Sequence, residues 1–193
     1  AEARVVELLD LVGISHPTER ARAYAHELSG GMRQRVMTAL AISSNPKLLI
    51  ADEPTTALDV TVQAQVMGML DRIRLELGIA VLFISHNLDL VASICDRVSV
   101  MYAGRVVESG AVEPLFNAPR HPYTRQLLRC VPRLDGGTGP MPTIPGLPPR
   151  FGTVLQGCPF SPRCVVSQDR CSVEKPPIRR EPGHLSVCWE GMP

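Results

Sequence analysis

The fold is decided by the stretch Leu28-Ser29-Gly30-Gly31-Met32-Arg33-Gln34-Arg35 and by the run Leu48-Leu49-Ile50-Ala51-Asp52-Glu53-Pro54, which follows it one helix-length later. Ser29 can cap the helix behind it, and the two glycines let backbone N–H groups approach a ligand closely. A hydroxyl, free amides and the positive end of a helix dipole then converge on one point. This arrangement suits a phosphate group.

The apolar run Leu48 to Ala51 predicts a buried parallel strand that ends in two carboxylates, Asp52 and Glu53. A second apolar run, Ile79 to Ile84, follows a long predicted helix that ends at Gly78. Strand, helix and strand together predict a right-handed parallel crossover. Open parallel sheets bind ligands at the carboxyl ends of their strands. The apolar positions of the long helix are Val62, Val66, Met69, Leu70, Ile73 and Leu77, and the pair Met67 and Met69 is interpreted as core filler.

His86 follows the second predicted strand directly, after Ser85. It therefore lies on the same sheet edge as Asp52 and Glu53, within reach of one phosphate. A histidine in this position is also compatible with a plain helix-entry residue. The carboxylate pair beside it favours the phosphate interpretation.

Periodic apolar residues predict further elements along the chain. Two helices precede Ser29, and a third follows it until Asn45-Pro46. A hairpin turning at Ala103-Gly104 is predicted at the edge of the sheet, followed by a short helix over Ala111 to Phe116. The buried positions are predicted as Val5, Leu8, Leu9 and Val12 in the first helix, Ala21, Tyr24, Ala25 and Leu28 in the second, and Met32, Val36, Ala39 and Leu40 in the third.

Charge and hydropathy exclude several classes of protein. The net charge is +1, and no basic run is longer than Arg179-Arg180, so no general field attracts nucleic acid. No apolar run approaches the roughly 20 residues that span a bilayer, and no signal segment opens the chain, which predicts a soluble chain. The chain starts at Ala1, and its only lysines, Lys47 and Lys175, do not follow a glycine. We therefore expect the later part of a longer protein, without the phosphate-binding P-loop.

The tail combines a linker with a cysteine cluster. Pro132 to Pro149 is rich in proline and glycine and predicts an extended linker. Four cysteines follow with gaps of five, six and sixteen residues, which do not match the usual zinc spacing. Zinc, an iron–sulfur cluster and disulfides all remain open, although disulfides are rare in reducing compartments. The four are Cys158, Cys164, Cys171 and Cys188, and the two cysteines outside the cluster are Cys95 and Cys130.

Taken together, the central motifs resemble the ATP-binding subunits of ABC transporters. Ser29-Gly30-Gly31 resembles the signature loop, and Thr56 to Asp59 resembles the D-loop. The resemblance implies an α/β fold, the C-terminal part of a P-loop (RecA-like) nucleotide-binding domain. It assigns residues 1–28 to the helical subdomain, 29–116 to the second half of the ATPase core and 117–193 to a C-terminal extension.

The same resemblance implies roles for the site residues. Asp52 resembles the Walker B aspartate that holds Mg²⁺, Glu53 the catalytic glutamate, and His86 the H-loop histidine that contacts the terminal phosphate. Two such domains meet head to tail in the family, with ATP between the P-loop of one and the signature loop of the other. The residues implied to bind ATP and Mg²⁺ are Ser29, Gly30, Gly31, Gln34, Asp52 and Asp59.

The tail narrows the resemblance to importers of the oligopeptide/dipeptide group, which includes nickel and glutathione importers. The segments Pro119 to Thr124 and Gly157 to Cys164 are similar to the C-terminal extension of that group, whereas Ala25 departs from it, since many relatives have proline there. The resemblance implies a [4Fe–4S] cluster on Cys158, Cys164, Cys171 and Cys188, with zinc as the alternative.

This group resemblance implies an ATPase that powers import of di- or oligopeptides from the cytoplasmic face of the membrane. Its implied partners are a homologous ATP-binding subunit, integral membrane permease subunits and, indirectly, a solute-binding protein. Nickel is the main rival solute. A non-transport ABC ATPase acting on DNA or ribosomes is disfavoured by the neutral charge, and a metal-sensing fragment stays open. Without a P-loop, the 193 residues alone are expected to be inactive.

Overall fold

A computed structural model describes residues 1–55, 59–131, 142–150, 152–153 and 156–190. The chain forms two compact units, Ala1–Asn87 and Leu88–Pro193. The ranges expected from the family, 1–28, 29–116 and 117–193, follow subdomains of a complete subunit and stay predictions.

The first unit contains α1 (Glu2–Leu11), α2 (Pro17–Arg20), a 3₁₀ turn (Ala25–Glu27), α3 (Gly30–Ile42), β1 (Leu48–Asp52), α4 (Val60–Leu77) and β2 (Ala80–Ile84). The second contains α5 (Leu88–Ile94), β3 (Arg97–Tyr102), β4 (Arg105–Ala111), α6 (Val112–Asn117), α7 (Pro122–Arg129), a 3₁₀ turn (Ser161–Arg163), α8 (Asp169–Val173), β5 (Ile178–Glu181) and β6 (His184–Val187). None of the described helices has both the length and the apolar character needed to cross a membrane.

The predicted crossover is confirmed. β1 and β2 pair in parallel, with Leu48 opposite Ala80 and Asp52 opposite Ile84. Between them, α4 ends at Gly78, whose left-handed φ of 62° closes the helix as predicted. Met67 and Met69 are both buried in this helix, in agreement with their interpretation as core filler.

Burial in the first unit differs from prediction along β1. Leu49 and Ala51 are buried, but Ile50 on the opposite face is 59 % exposed. The prediction of a strand buried on both faces is therefore wrong for this chain. Leu82 and Ile84 of β2 are exposed as well, so one face of the two-stranded sheet presents apolar side chains.

The second predicted helix does not form across Ala21 to Leu28. Helical structure stops at Arg20, and Tyr24 is 72 % exposed. Alanines at 21 and 25 offer little apolar surface to hold a helix against a core. A new 3₁₀ turn begins instead, because the Tyr24 backbone N–H donates to a Glu27 carboxylate oxygen at 2.7 Å. Leu40 was predicted on the buried face of α3, but it is exposed, and Ile42 is buried instead.

The second unit is built on an antiparallel sheet in the order β3-β4-β6-β5. Ala103 and Gly104 both have positive φ, as a two-residue hairpin turn requires, so the predicted hairpin is confirmed. Its expected place at the edge of the parallel sheet is wrong. In the described residues the hairpin pairs with β6 of the tail instead.

The core of this unit lies against the hairpin and reaches into the cysteine-rich tail. Phe160 is fully buried, and its ring meets the Tyr102 ring edge-on at 5.2 Å between centroids. Cys158 and Cys164 pack against the same core on either side of it. The remaining core residues are Val100, Tyr102, Val107 and Leu115. The tail is therefore anchored by an aromatic residue between two of its cysteines.

Candidate functional site

The first candidate site lies where β1 and β2 end. Glu53 follows β1 in the left-handed region, with φ 47°, and its backbone N–H donates to the Ile84 carbonyl oxygen at 2.9 Å. Non-glycine residues rarely adopt this conformation, and those that do concentrate at functional sites. This bond extends the parallel pairing by one step and turns the Glu53 side chain toward the end of β2.

Glu53 and His86 lie at the same sheet edge, as predicted, and in addition they form a direct pair. One Glu53 oxygen, Oε1, accepts the His86 backbone N–H at 3.1 Å and lies 2.8 Å from His86 Nδ1. Because an ionised carboxylate only accepts hydrogen bonds, Nδ1 is the donor in this pair. The histidine side chain is 81 % exposed and thus open to a ligand. Asp52, the last residue of β1, is exposed beside this pair.

The Ser-Gly-Gly turn forms the N-terminus of α3, as predicted. Ser29 is the N-cap, and its Oγ accepts the Met32 backbone N–H at 3.3 Å. A Cβ at Gly30 would meet nothing within 4 Å, and one at Gly31 would meet only Val62, at 3.6 Å. The turn is therefore open to a ligand that needs close approach to the backbone.

Gln34 and Asp59 take local positions in the same unit. Gln34 is half-buried in α3. Asp59 is the N-cap of α4, where its side chain accepts the Val62 backbone N–H at 2.9 Å. Thr56 to Leu58, the rest of the predicted D-loop, lie outside the described residues. The roles predicted for Gln34 and Asp59 toward ATP stay predictions.

Arg35 holds α3, the helix behind the Ser-Gly-Gly turn, in place. This role was not predicted from the sequence. Its guanidinium donates to the carbonyl oxygens of Val12 and Gly13, at 3.0 and 2.9 Å, and to the Gln65 side chain at 3.1 Å. It thus joins the end of α1 to α3 and α4. An arginine following a Ser-Gly-Gly turn gives no sequence signal for these particular acceptors.

The second candidate site is a cavity in the tail, lined by all four clustered cysteines together with His121 and Trp189. Two of the cysteine segments are joined by the Cys158 backbone N–H, which donates to the Cys171 carbonyl oxygen at 2.7 Å. Gly157 makes this approach possible, because a Cβ there would lie 2.3 Å from the same oxygen. The four cysteines, widely spaced in the sequence, thus surround one space.

Each of the four sulfur atoms receives a backbone N–H. Cys188 Sγ accepts from Glu190 at 3.3 Å and Cys171 Sγ from Gln168 at 3.5 Å. Cys158 accepts from Phe160, and Cys164 from Val166. Such bonds favour the thiolate, but burial, the larger effect, raises the pKa of Cys158, Cys164 and Cys188 above the usual value. At these three positions burial favours the thiol, which must lose its proton to bind a metal.

The arrangement differs from a closed single-ion site. In the part of the chain that the structure describes, no group of three or more His, Cys, Asp or Glu side chains is placed to hold one metal ion. In a four-iron cluster each sulfur binds a different iron, so the four sulfurs lie farther apart than they do around one zinc ion. The donor set matches a cluster in number and chemistry.

A buried carboxylate, also missed from the sequence, joins the tail to the hairpin. Glu108 is fully buried in β4 and accepts the backbone N–H groups of Arg120 at 2.6 Å and His121 at 3.1 Å. His184 Nε2 of β6 lies 2.8 Å from the same side chain. Glu108 therefore fixes both the start of α7 and the tail strand. The alternation along β4 gave no reason to expect an acid at a buried position.

Comparisons with known proteins agree with the geometry of the first unit. Residues 1–56 match the ABC transporter family. A solved structure from Clostridium perfringens, cbiO1 of an ABC transporter complex, aligns with a TM-score of 0.55 and 36% identity over 60% of this chain and 45% of that chain. MJ1267, an ATP-binding cassette of an ABC transporter in its ADP conformation, aligns with a TM-score of 0.53 and 26% identity, over 61% and 46%. The parallel crossover and its edge are those of an ABC-type ATPase domain.

The tail and the curated relatives narrow this class. Residues 107–171 match the family described as oligopeptide/dipeptide transporter, C-terminal region. The oligopeptide transport ATP-binding protein OppD of Haemophilus influenzae is 49% identical over 98% of this chain, and that of Escherichia coli is 50% identical over 96%. The chain spans 58% and 55% of their lengths. It belongs to the ATP-binding subunits of ABC transporters of the oligopeptide/dipeptide group.

Proposed function

We propose that the full-length subunit that contains these residues hydrolyses ATP to drive import of di- or oligopeptides. The observation that carries the proposal is the hydrogen-bonded pair of Glu53 and His86 at the strand ends beside Asp52. Peptides are favoured over nickel because the matched relatives are named for oligopeptide transport.

In this mechanism the chain supplies charge and position to phosphoryl transfer. Asp52 would hold Mg²⁺, which when bound would supply positive charge to the phosphates. Glu53 orients and polarises the attacking water, and the bond from His86 to Glu53 fixes both side chains. His86 Nε2 would donate a hydrogen bond to the terminal phosphate of bound ATP.

The Ser29-Gly30-Gly31 turn binds the phosphates of a nucleotide held by a second subunit. The support is that the turn is open and lies at a helix N-terminus, where an anion is stabilised. A homologous subunit in head-to-tail contact, permease subunits in the membrane and a solute-binding protein complete the assembly. The subunit then acts as a peripheral protein on the cytoplasmic face of the membrane.

The Glu53→Gln variant tests the proposed catalytic role. The amide oxygen can still accept the His86 backbone N–H, so folding and ATP binding are expected to persist. Hydrolysis by the full-length subunit should fall on the order of 10² to 10⁴-fold, the usual contribution of a catalytic acid or base. Asp71→Asn is the matched control, because Asp71 is exposed on α4 and pairs only with Arg74 in the described ion pairs. A normal rate in Glu53→Gln would refute the role.

We also propose that the tail cavity holds a [4Fe–4S] cluster on Cys158, Cys164, Cys171 and Cys188. Four thiols lining one cavity, with a backbone N–H on each sulfur, support this assignment. The cluster would supply a redox centre or a structural link for the tail. Iron, acid-labile sulfide and zinc, measured on anaerobically purified protein, test it. About four irons and four sulfides per chain are expected. Stoichiometric zinc would instead show that the four cysteines bind zinc.

A further inference from the structure

His121 places an unpaired hydrogen-bond donor in the cysteine cavity. The side chain is 1% exposed, and its Nδ1 accepts the Tyr123 backbone N–H at 3.1 Å as the N-cap of α7. Because Nδ1 accepts, a neutral ring carries its proton on Nε2. That Nε2 is buried and has no hydrogen-bond partner among the described residues. The bond at Nδ1 thus fixes both the tautomer of His121 and the position of its Nε2–H donor.

Trp189 adds a second donor of the same kind. Its Nε1 is also buried and also lacks a hydrogen-bond partner in the described part of the chain. An indole nitrogen can only donate, so it cannot be satisfied by another donor. The ring is held in place by the Arg170 guanidinium, which lies 4.6 Å from the ring centroid. Trp189 directly follows Cys188, one of the four clustered cysteines.

Both donors belong to residues that line the cavity surrounded by the four cysteines. Buried donors in folded proteins are nearly always paired, so two unpaired ones in one cavity indicate a ligand that accepts hydrogen bonds. The cavity is also lined by the four cysteines, whose sulfurs already receive backbone N–H groups, and by the polar residues Ser161, Gln168 and Glu190. Two N–H donors on residues that line one cavity suit a ligand that is rich in electron density.

We infer that His121 Nε2–H and Trp189 Nε1–H donate hydrogen bonds to sulfur atoms of the cluster and thereby raise its reduction potential. The inference rests on the proposed [4Fe–4S] cluster. Sulfide and cysteine sulfur become more negative when the cluster gains an electron, so N–H groups directed at them stabilise the reduced state more than the oxidised state. His121 and Trp189 act here as positioning residues, and the four cysteines remain the ligands.

The test uses the full chain with its cluster and measures the midpoint reduction potential by titration followed in visible absorption. Trp189→Phe keeps an aromatic ring over Arg170 and removes only the N–H. His121→Asn keeps a side-chain acceptor that can cap α7 and removes the donor at Nε2. Each variant is expected to retain its iron and sulfide and to titrate at a more negative potential than the wild type.

His16→Asn is the matched control, because His16 is exposed, lies in the other unit and has a positive φ that asparagine tolerates. Its potential should equal that of the wild type. Wild-type protein without iron and sulfide would refute the cluster itself. A loaded wild type with an unchanged potential in Trp189→Phe would refute the hydrogen bonds alone, and this holds even if His121→Asn fails to fold.

Discussion

At the scale of single residues, His121 couples the stability of the second unit to pH. Burial lowers the pKa of its imidazole to about 4, and the positive charge of Arg125 acts in the same direction, while Glu108 and Glu190 oppose it. The unfolded chain binds this proton near pH 6.5, so between these values the unfolded state holds more protons than the folded state. Protonation therefore favours unfolding as pH falls.

We expect the free energy of unfolding of the metal-free protein to fall by about 3 kcal/mol, from this histidine alone, between pH 7 and pH 4. Urea unfolding followed by the fluorescence of Trp189 measures this free energy. Trp189 is the single tryptophan of the chain and lies in the same structural unit as His121. His121→Asn should lose this component and keep the pH dependence due to carboxylates. Equal pH dependence in both proteins would contradict a buried neutral His121.

The residues of the candidate ATP site were predictable because of where strands end. Asp52, Glu53 and His86 follow two apolar runs, and parallel strands bring their carboxyl ends to one edge. The direct bond between Glu53 and His86 depends on the left-handed backbone at Glu53, for which a glutamate gives no sequence signal. Glu108 could not be predicted either, because its hydrogen-bond partners leave no local sequence signal. Two of them are the backbone N–H groups of Arg120 and His121, and the third is the side chain of His184, which is distant in the sequence.

At the scale of elements, long periodic segments were predictable and short polar ones were not. α4 and the hairpin follow from apolar spacing and from turn residues at Gly78 and Gly104. β5 has the sequence Ile-Arg-Arg-Glu, with a single apolar residue, and forms because its backbone pairs with β6. The helix predicted over Ala21 to Leu28 failed because half of its apolar stripe is alanine. Local pattern predicts an element only where the side chains themselves supply the burial.

Close packing between two cysteine segments makes Gly157→Ala a sharp test of the tail. The new Cβ would lie 2.3 Å from the Cys171 carbonyl oxygen and 2.6 Å from the Ser172 carbonyl carbon. These are backbone atoms, so the segments must separate and the bond from the Cys158 N–H must break. We expect lower stability in urea and loss of iron or zinc from the purified protein.

Gly68→Ala is the control for this change. Gly68 lies inside α4, and a Cβ there would meet nothing within 4 Å. Alanine in a helix interior is expected to stabilise the first unit by roughly 0.5–1 kcal/mol and to leave metal content unchanged. Wild-type metal content and stability in Gly157→Ala would show that the two cysteine segments do not meet as described.

At the scale of the whole molecule, the chain joins an α/β unit with one sheet edge to an antiparallel unit that encloses the cysteine cavity. The ABC class could be predicted from a few motifs because each one fixes a strand end or a helix start. The four-stranded sheet of the second unit could not be predicted in this way, because it pairs residues 97–111 with residues 178–187. Such distant pairing leaves no local pattern in the sequence.

These 193 residues alone are expected to lack ATPase activity. Glu53 and His86 can orient a water only against a phosphate that is held firmly, and a P-loop lysine is the usual group that holds it. Lys47 and Lys175 do not follow a glycine, so the chain has no Gly-x4-Gly-Lys motif. We expect no release of phosphate from Mg-ATP by the isolated chain, measured beside the full-length subunit. Turnover by the isolated chain that disappears in its Glu53→Gln variant would contradict this, because contaminating ATPases would be unaffected by the substitution.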